Sequence, residues 1–250
     1  MKYAAAITLM TIVLAPALAQ AAVDELCIGQ RVAAGPDGRM LGHLPYGQAS
    51  ASELVPMPGR FALGAPCLLR PAVAADLSRM LTAASASGLN GQIRAVSCYR
   101  TVNRQRSVFC SQIGPRKRCR DAVERARFVG PPGYSEHATG YAIDFGTRPS
   151  VGCGDVDACF ARTPAGRWLL ANASDYGFEL SFPAGNAQGV TWEPWHWRWV
   201  GTAASAPGAG PARAIFARAR TAYPARPMQV DAVAIVPRPA ALPPGTPLQE

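Results

Sequence analysis

The cysteine content constrains the fold of this chain most strongly, because all seven cysteines follow a segment with the pattern of a secretory signal. Residues 1–19 combine Lys2, an apolar run over 4–15, and the small residues Ala17 and Ala19, as in a cleaved signal peptide. We therefore predict export, most simply to a bacterial periplasm, where disulfides persist. The apolar run is shorter than the roughly 20 residues that span a bilayer, so no stable membrane anchor is predicted.

An odd number of cysteines leaves one thiol without a partner in a monomer. Short separations favour local loops joining Cys110 to Cys119 and Cys153 to Cys159, whereas Cys98 has Cys110 as an alternative partner. A cysteine zinc site is the competing interpretation, but the chain contains no C-x-x-C pair. Structural disulfides are favoured, and both their pairing and the oligomeric state stay open at this point.

Composition predicts one globular domain with less regular ends. Hydrophobic residues make up 49% of the chain and charged residues 16%, which is too apolar for a disordered protein. Residues 20–67 are rich in proline and predict a loop-rich N-terminal wrap. Residues 202–250 are rich in alanine and proline and predict a largely disordered tail. Residues 68–201 carry the regular helix and strand patterns of the folded domain.

Apolar periodicity within residues 68–201 alternates between the helical and the extended repeat. The predicted elements are a helix over 71–84 ended by Gly88, a strand over 93–100, a helix capped by Thr101, a strand over 140–145, a helix from Pro164 to Gly177, and strands over 178–182 and 195–200. Helices interspersed with short strands favour an α+β domain over a regular parallel sheet.

Two of the three histidines stand in chemically suggestive surroundings. Residues 135–144 read S-E-H-A-T-G-Y-A-I-D, and residues 193–196 read E-P-W-H. Alternation places Asp144 off the aromatic face of its strand and places His196 opposite the neighbouring tryptophans. Both side chains are therefore predicted to reach one cleft while the aromatic side chains pack in the core.

His137, Asp144 and His196 are a sufficient ligand set for catalytic zinc, which takes three protein donors and keeps one position for water. The pKa of such a water falls from 15.7 to about 7, so it becomes a nucleophile near neutral pH. Glu193 stands three residues before His196, which suits a base beside the metal better than a fourth ligand. Softer metals are disfavoured because no thiolate falls within these motifs.

Several other polar residues have ordinary interpretations. His43 is predicted to be a surface or satisfied core histidine, and Glu136 is predicted to be solvated. The Lys- and Arg-rich residues 116–127 predict a solvated helix or loop, and Asp155 and Asp157 are predicted to be loop residues. The tryptophan cluster is expected in the core rather than on a sugar-binding face.

Three motifs resemble the VanY-type D-alanyl-D-alanine carboxypeptidase family of zinc peptidases. The first is S-E-H-A-T-G-Y-A-I-D at 135–144, which is preceded by S-C-Y-R-T-V-N-R-Q at 97–105 and followed by E-P-W-H-W-R-W-V-G at 193–201. A chance match to the five fixed positions of the first motif is on the order of one in ten thousand. The resemblance covers roughly residues 68–201. It implies a compact single α+β domain with a central, largely antiparallel sheet flanked by helices, of the hedgehog and D-Ala-D-Ala-peptidase type.

The resemblance also implies roles for individual residues. By position, His137, Asp144 and His196 match the zinc ligands of the family, and Glu193 matches its catalytic base. The cofactor implied is therefore Zn²⁺.

Three further residues match positions that contact substrate in the family. Arg100 matches the arginine that binds or polarises the substrate, Gln105 a substrate-contacting glutamine, and Ser135 the serine that helps hold the peptide terminus. Cys98 departs from the family, which has glycine in S-G-Y-R. A disulfide there would fix the strand that carries Arg100, whereas a free thiol would be reactive or inhibitory.

The function implied is a secreted zinc carboxypeptidase that removes the terminal D-Ala from peptidoglycan stem peptides. One alternative is an L,D-carboxypeptidase or peptidoglycan endopeptidase with the same zinc site. Another is a noncatalytic, zinc-stabilised peptidoglycan-binding module, which the retention of Glu193 argues against. The formal charge of +9 is compatible with anionic cell-envelope polymers, and predicted export argues against nucleic acid as a partner.

Overall fold

The structure, a computed structural model, describes residues 23–150 and 152–224. The strands in these residues are β1 (Val23–Cys27), β2 (Gln30–Ala33), β3 (Val55–Pro56), β4 (Leu68–Leu69), β5 (Ile93–Ser97), β6 (Ala142–Thr147), β7 (Phe178–Leu180) and β8 (His196–Trp199). The α-helices are α1 (Pro71–Ala86), α2 (Val102–Cys110), α3 (Ala122–Ala126), α4 (Pro164–Asn172), α5 (Ala209–Ile215) and α6 (Ala217–Ala222). The predicted signal peptide over 1–19 and the predicted tail beyond residue 224 lie outside the described residues.

The central sheet has four strands in the order β5–β6–β8–β7, and every neighbouring pair is antiparallel. All six residues of β6 are buried, so this strand runs through the middle of the domain. Two-stranded pairs β1–β2 and β3–β4 stand apart from the central sheet. The α+β prediction with a central antiparallel sheet is confirmed.

Helix boundaries follow the local signals in the sequence. Pro71 opens α1, and Gly88 follows its end with a φ of +87°. Thr101 caps α2 by accepting a hydrogen bond from the backbone of Arg104, which leaves the arginine before the cap at the junction of β5 and α2. Thr163 caps α4 in the same way.

The aromatic residues of β8 form the core, as predicted. Trp197 and Trp199 are almost fully buried and pack with Phe145 and the apolar face of α1. Nε1 of Trp199 donates to Oδ2 of Asp76 on α1 at 3.0 Å. The opposite face of β8 is therefore left for polar side chains.

Three disulfides join Cys27 to Cys110, Cys67 to Cys98 and Cys153 to Cys159, while Cys119 is buried and unpaired. The local loop between residues 153 and 159 is confirmed. The predicted pairings of residue 110 with 119, and of residue 98 with 110, are wrong. Tertiary contacts decide both, because α2 packs against β1 and the end of β5 lies beside β4, where the backbone of Tyr99 donates to Leu68 at 3.1 Å.

The prediction of a disordered tail is wrong for residues 202–224. Helices α5 and α6 bury Ala209, Ala212, Phe216 and Ala219, whose spacing places them on one helical face. Alanine-rich composition concealed this face because small side chains carry a weak apolar signal. Proline 211 falls in the first turn of α5, where its missing N–H breaks no helical hydrogen bond.

The basic segment over 116–127 is only partly solvated. Arg125 is buried, and its guanidinium donates to the carbonyls of Phe109 and Val108 at the end of α2, at 3.2 and 3.0 Å. Positive charge is favourable there because carbonyls at a helix C-terminus lack partners.

Residues 23–67 hold short strands and 3-10 turns but no α-helix. In the described part of the chain, no helix has the length and apolar character needed to cross a membrane.

Candidate metal centre

Two neighbouring strands of the central sheet place a carboxylate against an imidazole. Asp144 on β6 lies directly opposite His196 on β8 in the antiparallel register. Side chains at opposite positions share a face about 5 Å apart. Here Nδ1 of His196 lies 2.9 Å from Oδ1 of Asp144, and both residues are buried.

A tight turn brings His137 to the same place. The 3-10 turn Glu136–Thr139 carries it, and Gly140 ends the turn with a φ of +74° before β6 begins. A Cβ at Gly140 would lie 2.6 Å from Cδ2 of Leu54, so both conformation and space favour glycine. The imidazole rings of His137 and His196 meet edge to face with centroids 4.8 Å apart.

The nitrogen atoms of His137 are set up for a metal ligand. Nδ1 lies 2.7 Å from the carbonyl oxygen of Cys98, so it carries the proton and donates. Nε2 is buried and has no hydrogen-bond partner of suitable geometry within residues 23–150 and 152–224, although it lies 3.0 Å from Oδ2 of Asp144. A lone pair that faces a carboxylate oxygen is repulsive unless a cation lies between them.

One donor atom each from His137, Asp144 and His196 lies within 4.8 Å of the others. Two nitrogens and one carboxylate oxygen are a donor set that zinc prefers. A backbone carbonyl on the far nitrogen of a histidine ligand is the usual support for such a site. The described residues therefore fit a divalent metal ion of the zinc type.

Glu136 supports the second histidine, and its predicted solvation is wrong. It is 2% exposed, and its Oε2 accepts from Nε2 of His196 at 3.0 Å. The turn that presents His137 points the preceding side chain inward, beneath β8. Further donors to this carboxylate are Ser181 Oγ at 2.5 Å, Arg198 Nη1 at 3.1 Å and Tyr46 Oη at 3.2 Å.

Burial and charge set the protonation of this cluster. Burial alone would raise the pKa of Glu136, but the Arg198 charge and the His196 hydrogen bond hold it at about 2. Burial opposes the charged form of His196, yet hydrogen bonds to the Asp144 and Glu136 carboxylates raise its pKa to about 10. Burial and the Arg100 charge lower the pKa of the first histidine, residue 137, to about 4, despite the neighbouring carboxylate.

Glu193 is a buried acid that lies beside the cluster. Its Oε2 is 3.8 Å from Nδ1 of His196, and the side chain is 5% exposed. Burial, with the nearby Asp144 carboxylate, raises the pKa of Glu193 to about 8. A carboxyl group whose pKa lies near neutrality can both accept and return a proton.

The three residues predicted to contact substrate lie at two different positions in the fold. The guanidinium of Arg100 lies 3.8 Å from Oδ2 of Asp144, and its buried Nε has no partner among the described residues. Gln105 is buried and donates from Nε2 to the Gly130 carbonyl at 2.6 Å, while its Oε1 has no partner in the same part of the chain. Ser135 also lies beside Gly130. The structure thus brings Arg100 to the three-residue cluster, whereas Gln105 and Ser135 make their contacts at Gly130.

Sequence reasoning missed Glu136 and Arg198. Arg198 stands two residues after His196 on the same face of β8, so a buried cation there requires a buried carboxylate nearby. That spacing is the signal that could have identified Glu136. His43 is a satisfied core histidine, as predicted, because it is buried with Nε2 2.7 Å from the Ala126 carbonyl oxygen.

Comparison with known proteins places the chain. A profile of the D-alanyl-D-alanine carboxypeptidase (VanY) family matches residues 67–202, which is more than half of the chain. The protein belongs to the VanY family. The matched span contains His137, Asp144 and His196 together with Glu136 and Glu193, and its boundaries agree with the resemblance deduced from the motifs.

Two curated proteins are similar to this VanY-family chain. The Bacillus subtilis protein YodJ is 36% identical over 140 residues, which are 55% of this chain and 48% of YodJ. VanXYC of Enterococcus gallinarum, a bifunctional D-Ala-D-Ala dipeptidase and carboxypeptidase, is 32% identical over 135 residues, 53% of this chain and 67% of that protein. The match therefore spans about half the length of the B. subtilis relative.

Among solved structures, the LdcB LD-carboxypeptidase superposes with a TM-score of 0.55 and 26% sequence identity. The superposition covers 74% of this chain and 86% of LdcB. The α+β fold of this VanY-family protein is thus shared with a peptidoglycan-recognising peptidase.

Proposed function

We propose that this protein is a zinc-dependent D-alanyl-D-alanine carboxypeptidase, exported to the periplasm, that removes the terminal D-Ala from peptidoglycan stem peptides. One observation carries the proposal: a buried His–Asp–His donor set lies beside Glu193, a buried acid whose Oε2 is 3.8 Å from Nδ1 of His196. A structural metal site has no need of such an acid, whereas hydrolysis requires a group that accepts a proton.

His137 through Nε2, Asp144 through its carboxylate and His196 through Nδ1 would hold the zinc ion, because the other ring nitrogens are occupied by Cys98 and Glu136. When bound, zinc supplies Lewis-acid chemistry, which polarises a carbonyl group and lowers the pKa of water. The surrounding sheet excludes bulk solvent, since all three ligand residues are buried.

Glu193 moves the proton. Its carboxylate accepts a proton from the attacking water at Oε2, the oxygen that faces His196, and then gives a proton to the amine of the departing D-Ala. Burial raises the pKa of Glu193 to about 8 in the metal-free protein, and the charge of a bound zinc ion would lower it, so that the carboxylate form is available to accept the proton.

Arg100, Gln105 and Ser135 would bind the peptide. The buried Nε of Arg100 has no partner in the part of the chain that the structure describes, and a guanidinium binds a carboxylate through two parallel hydrogen bonds. Oε1 of Gln105, which accepts no hydrogen bond from any described residue, offers an acceptor to a peptide N–H. A free terminal carboxylate on the substrate therefore has a cationic partner beside the reacting centre.

Similarity to the LdcB LD-carboxypeptidase favours one second candidate, an L,D-carboxypeptidase that acts on the tetrapeptide. Both reactions require the same metal ligands and the same base. The pocket around Arg100, Gln105 and Ser135 discriminates between them through the configuration of the residue before the scissile bond.

Purified mature protein incubated with stem pentapeptide, tetrapeptide and a crosslinked dimer, followed by mass spectrometry, tests the proposal. We expect loss of one D-Ala from the pentapeptide, abolished by a zinc chelator and restored by added zinc. Glu193→Gln serves as the matched inactive control, because it keeps the metal ligands. Cleavage of the tetrapeptide alone would establish the L,D-specificity instead, and failure to cleave any substrate after zinc loading would refute peptidase activity.

A further inference from the structure

A row of charged side chains runs from the candidate metal centre to the C-terminal helices, buried at Glu136 and Arg198 and partly exposed at Glu179 and Arg220. Glu136, which holds His196, accepts from Nη1 of Arg198 at 3.1 Å. Nε of Arg198 donates to Oε1 of Glu179 on β7 at 2.8 Å. Glu179 accepts in turn from Nε of Arg220 on α6 at 3.1 Å. Negative and positive side chains alternate along this row, and Arg198 within it is fully buried.

The helix pair α5–α6, residues 209–222, packs an aromatic ring against this row of charges. Phe216, at the junction of the two helices, is fully buried and lies with its ring centroid 5.6 Å from Cζ of Arg198. The same ring meets Tyr46 edge to face with centroids 5.6 Å apart. Tyr46 donates to Oε1 of Glu136, so Phe216 contacts two of the donors to that carboxylate.

The helix pair is docked to the end of β8. Arg213 on α5 donates from Nε to the carbonyl of Val200 and from Nη2 to the carbonyl of Gly201, both at 2.9 Å. Ala209 and Ala212 are fully buried on the same helix. The helix pair nevertheless lies outside residues 67–202, the span that matches the VanY family.

The charge balance explains how Arg220, at the outer end of this row of charges, affects Glu136 at the inner end. A buried guanidinium requires carboxylate partners, and Arg198 divides its hydrogen bonds between Glu136 and Glu179. Arg220 supplies Glu179 with a second cation. Without it, Glu179 would depend on Arg198 alone and draw that guanidinium away from Glu136.

We propose that the helix pair α5–α6 is a positioning element of the metal site, acting through Arg198 and Glu136 to keep Nδ1 of His196 directed at the metal. The inference rests on the proposed zinc site and extends it to residues outside the family match. Arg220 and Phe216 touch neither metal nor substrate, so their effect is on the orientation of a ligand.

Zinc affinity of the full mature protein, measured by competition with a chromophoric chelator, tests this directly. We expect Glu136→Gln to weaken zinc binding about 10- to 100-fold, as for other groups that orient a histidine ligand. Arg220→Ala should weaken it about 3- to 10-fold, because it acts through two further contacts. Arg218→Ala is the matched control, since Arg218 is a half-exposed arginine on the same helix whose ionic partner is the exposed Asp37; we expect no change.

A double-mutant cycle separates positioning from general destabilisation. If Arg220 acts through Glu136, Arg220→Ala should cause no further loss of zinc affinity in the Glu136→Gln background. An equal loss in both backgrounds would overturn the inference, and so would an Arg220→Ala protein that binds zinc as tightly as wild type. Phe216→Leu, which keeps an apolar side chain but loses the ring over Arg198, should weaken zinc binding in the same direction.

Failure of the inference and failure of the proposed function give different results. Wild-type protein that binds no zinc would refute the zinc site itself, and the inference with it. Wild-type protein that binds zinc and cleaves stem peptide, with unchanged affinity in Arg220→Ala, would leave the proposed function intact and remove only the positioning role.

Discussion

Replacing Glu193 with glutamine should separate catalysis from stability, with opposite effects on each. Glutamine has the shape of the protonated acid but never ionises, so it cannot accept a proton from water. We expect Glu193→Gln to abolish peptide cleavage and to retain zinc, because the three ligand residues are untouched. The same substitution should stabilise the metal-free protein at neutral pH.

The magnitude follows from the raised pKa. Folding shifts the pKa of Glu193 from its ordinary 4.5 to about 8, so the unfolded chain loses this proton more readily than the folded protein. Stability of the metal-free protein therefore falls as the pH rises from 4.5 towards 8. At pH 7 the penalty is about 3 kcal/mol, taking about 1.4 kcal/mol for each pH unit above 4.5. Glutamine removes this penalty, and below pH 4 it should change nothing.

Urea unfolding of chelator-treated protein at pH 4, 5.5 and 7 measures the effect. The difference in the free energy of unfolding between Glu193→Gln and wild type should grow from near zero to about 3 kcal/mol over that range. Glu25→Gln, a change at an exposed carboxyl group, is the control and should follow wild type. Parallel curves for Glu193→Gln and wild type would refute the argument that burial holds this acid protonated.

Three other perturbations test the site and its supports. Replacing both Cys67 and Cys98 with alanine opens a loop of sequence separation 31 and should lower the unfolding free energy by up to about 4 kcal/mol. The double replacement should also weaken zinc binding, because the backbone carbonyl of residue 98 orients the imidazole of His137. Unchanged zinc affinity would show that the disulfide does not hold this carbonyl in place. Zinc binding at pH 6 should release about two protons, one from His196 with a pKa near 10 and one from Glu193 with a pKa near 8. Calorimetry in buffers of different ionisation enthalpy measures the number of protons released. Glu193→Gln should reduce that number by about one. Gly140→Ala forces a side chain into a left-handed conformation and should destabilise the fold by about 1–3 kcal/mol in thermal or urea unfolding; a neutral result would show that the turn before β6 relaxes.

Local patterns in the sequence were enough to predict the architecture around the metal centre. The alternation in β6 and β8 separates Asp144 and His196 from the buried tryptophans, because successive side chains in a strand point to opposite faces. Helix caps at Thr101 and Thr163 were equally predictable, since capping depends on residues within one turn. The three motifs then indicated the VanY family, and the family profile confirmed it.

Contacts between distant segments decided what the sequence alone left open or misassigned. The partner of Cys98 is Cys67 because β5 ends beside β4. Glu136 is buried rather than solvated because Arg198, 62 residues away, requires a carboxylate inside the fold.

The C-terminal helices illustrate the same division. Their alanines have little apolar pattern of their own, and only docking on β8 gives them a buried face. By itself the sequence determined that Asp144 and His196 lie on strands with their side chains away from the tryptophans, and which side chains are candidates for the metal site. Only the tertiary structure decided which charges hold those candidate side chains in place, because charge pairing in a protein interior depends on segments that are far apart along the chain.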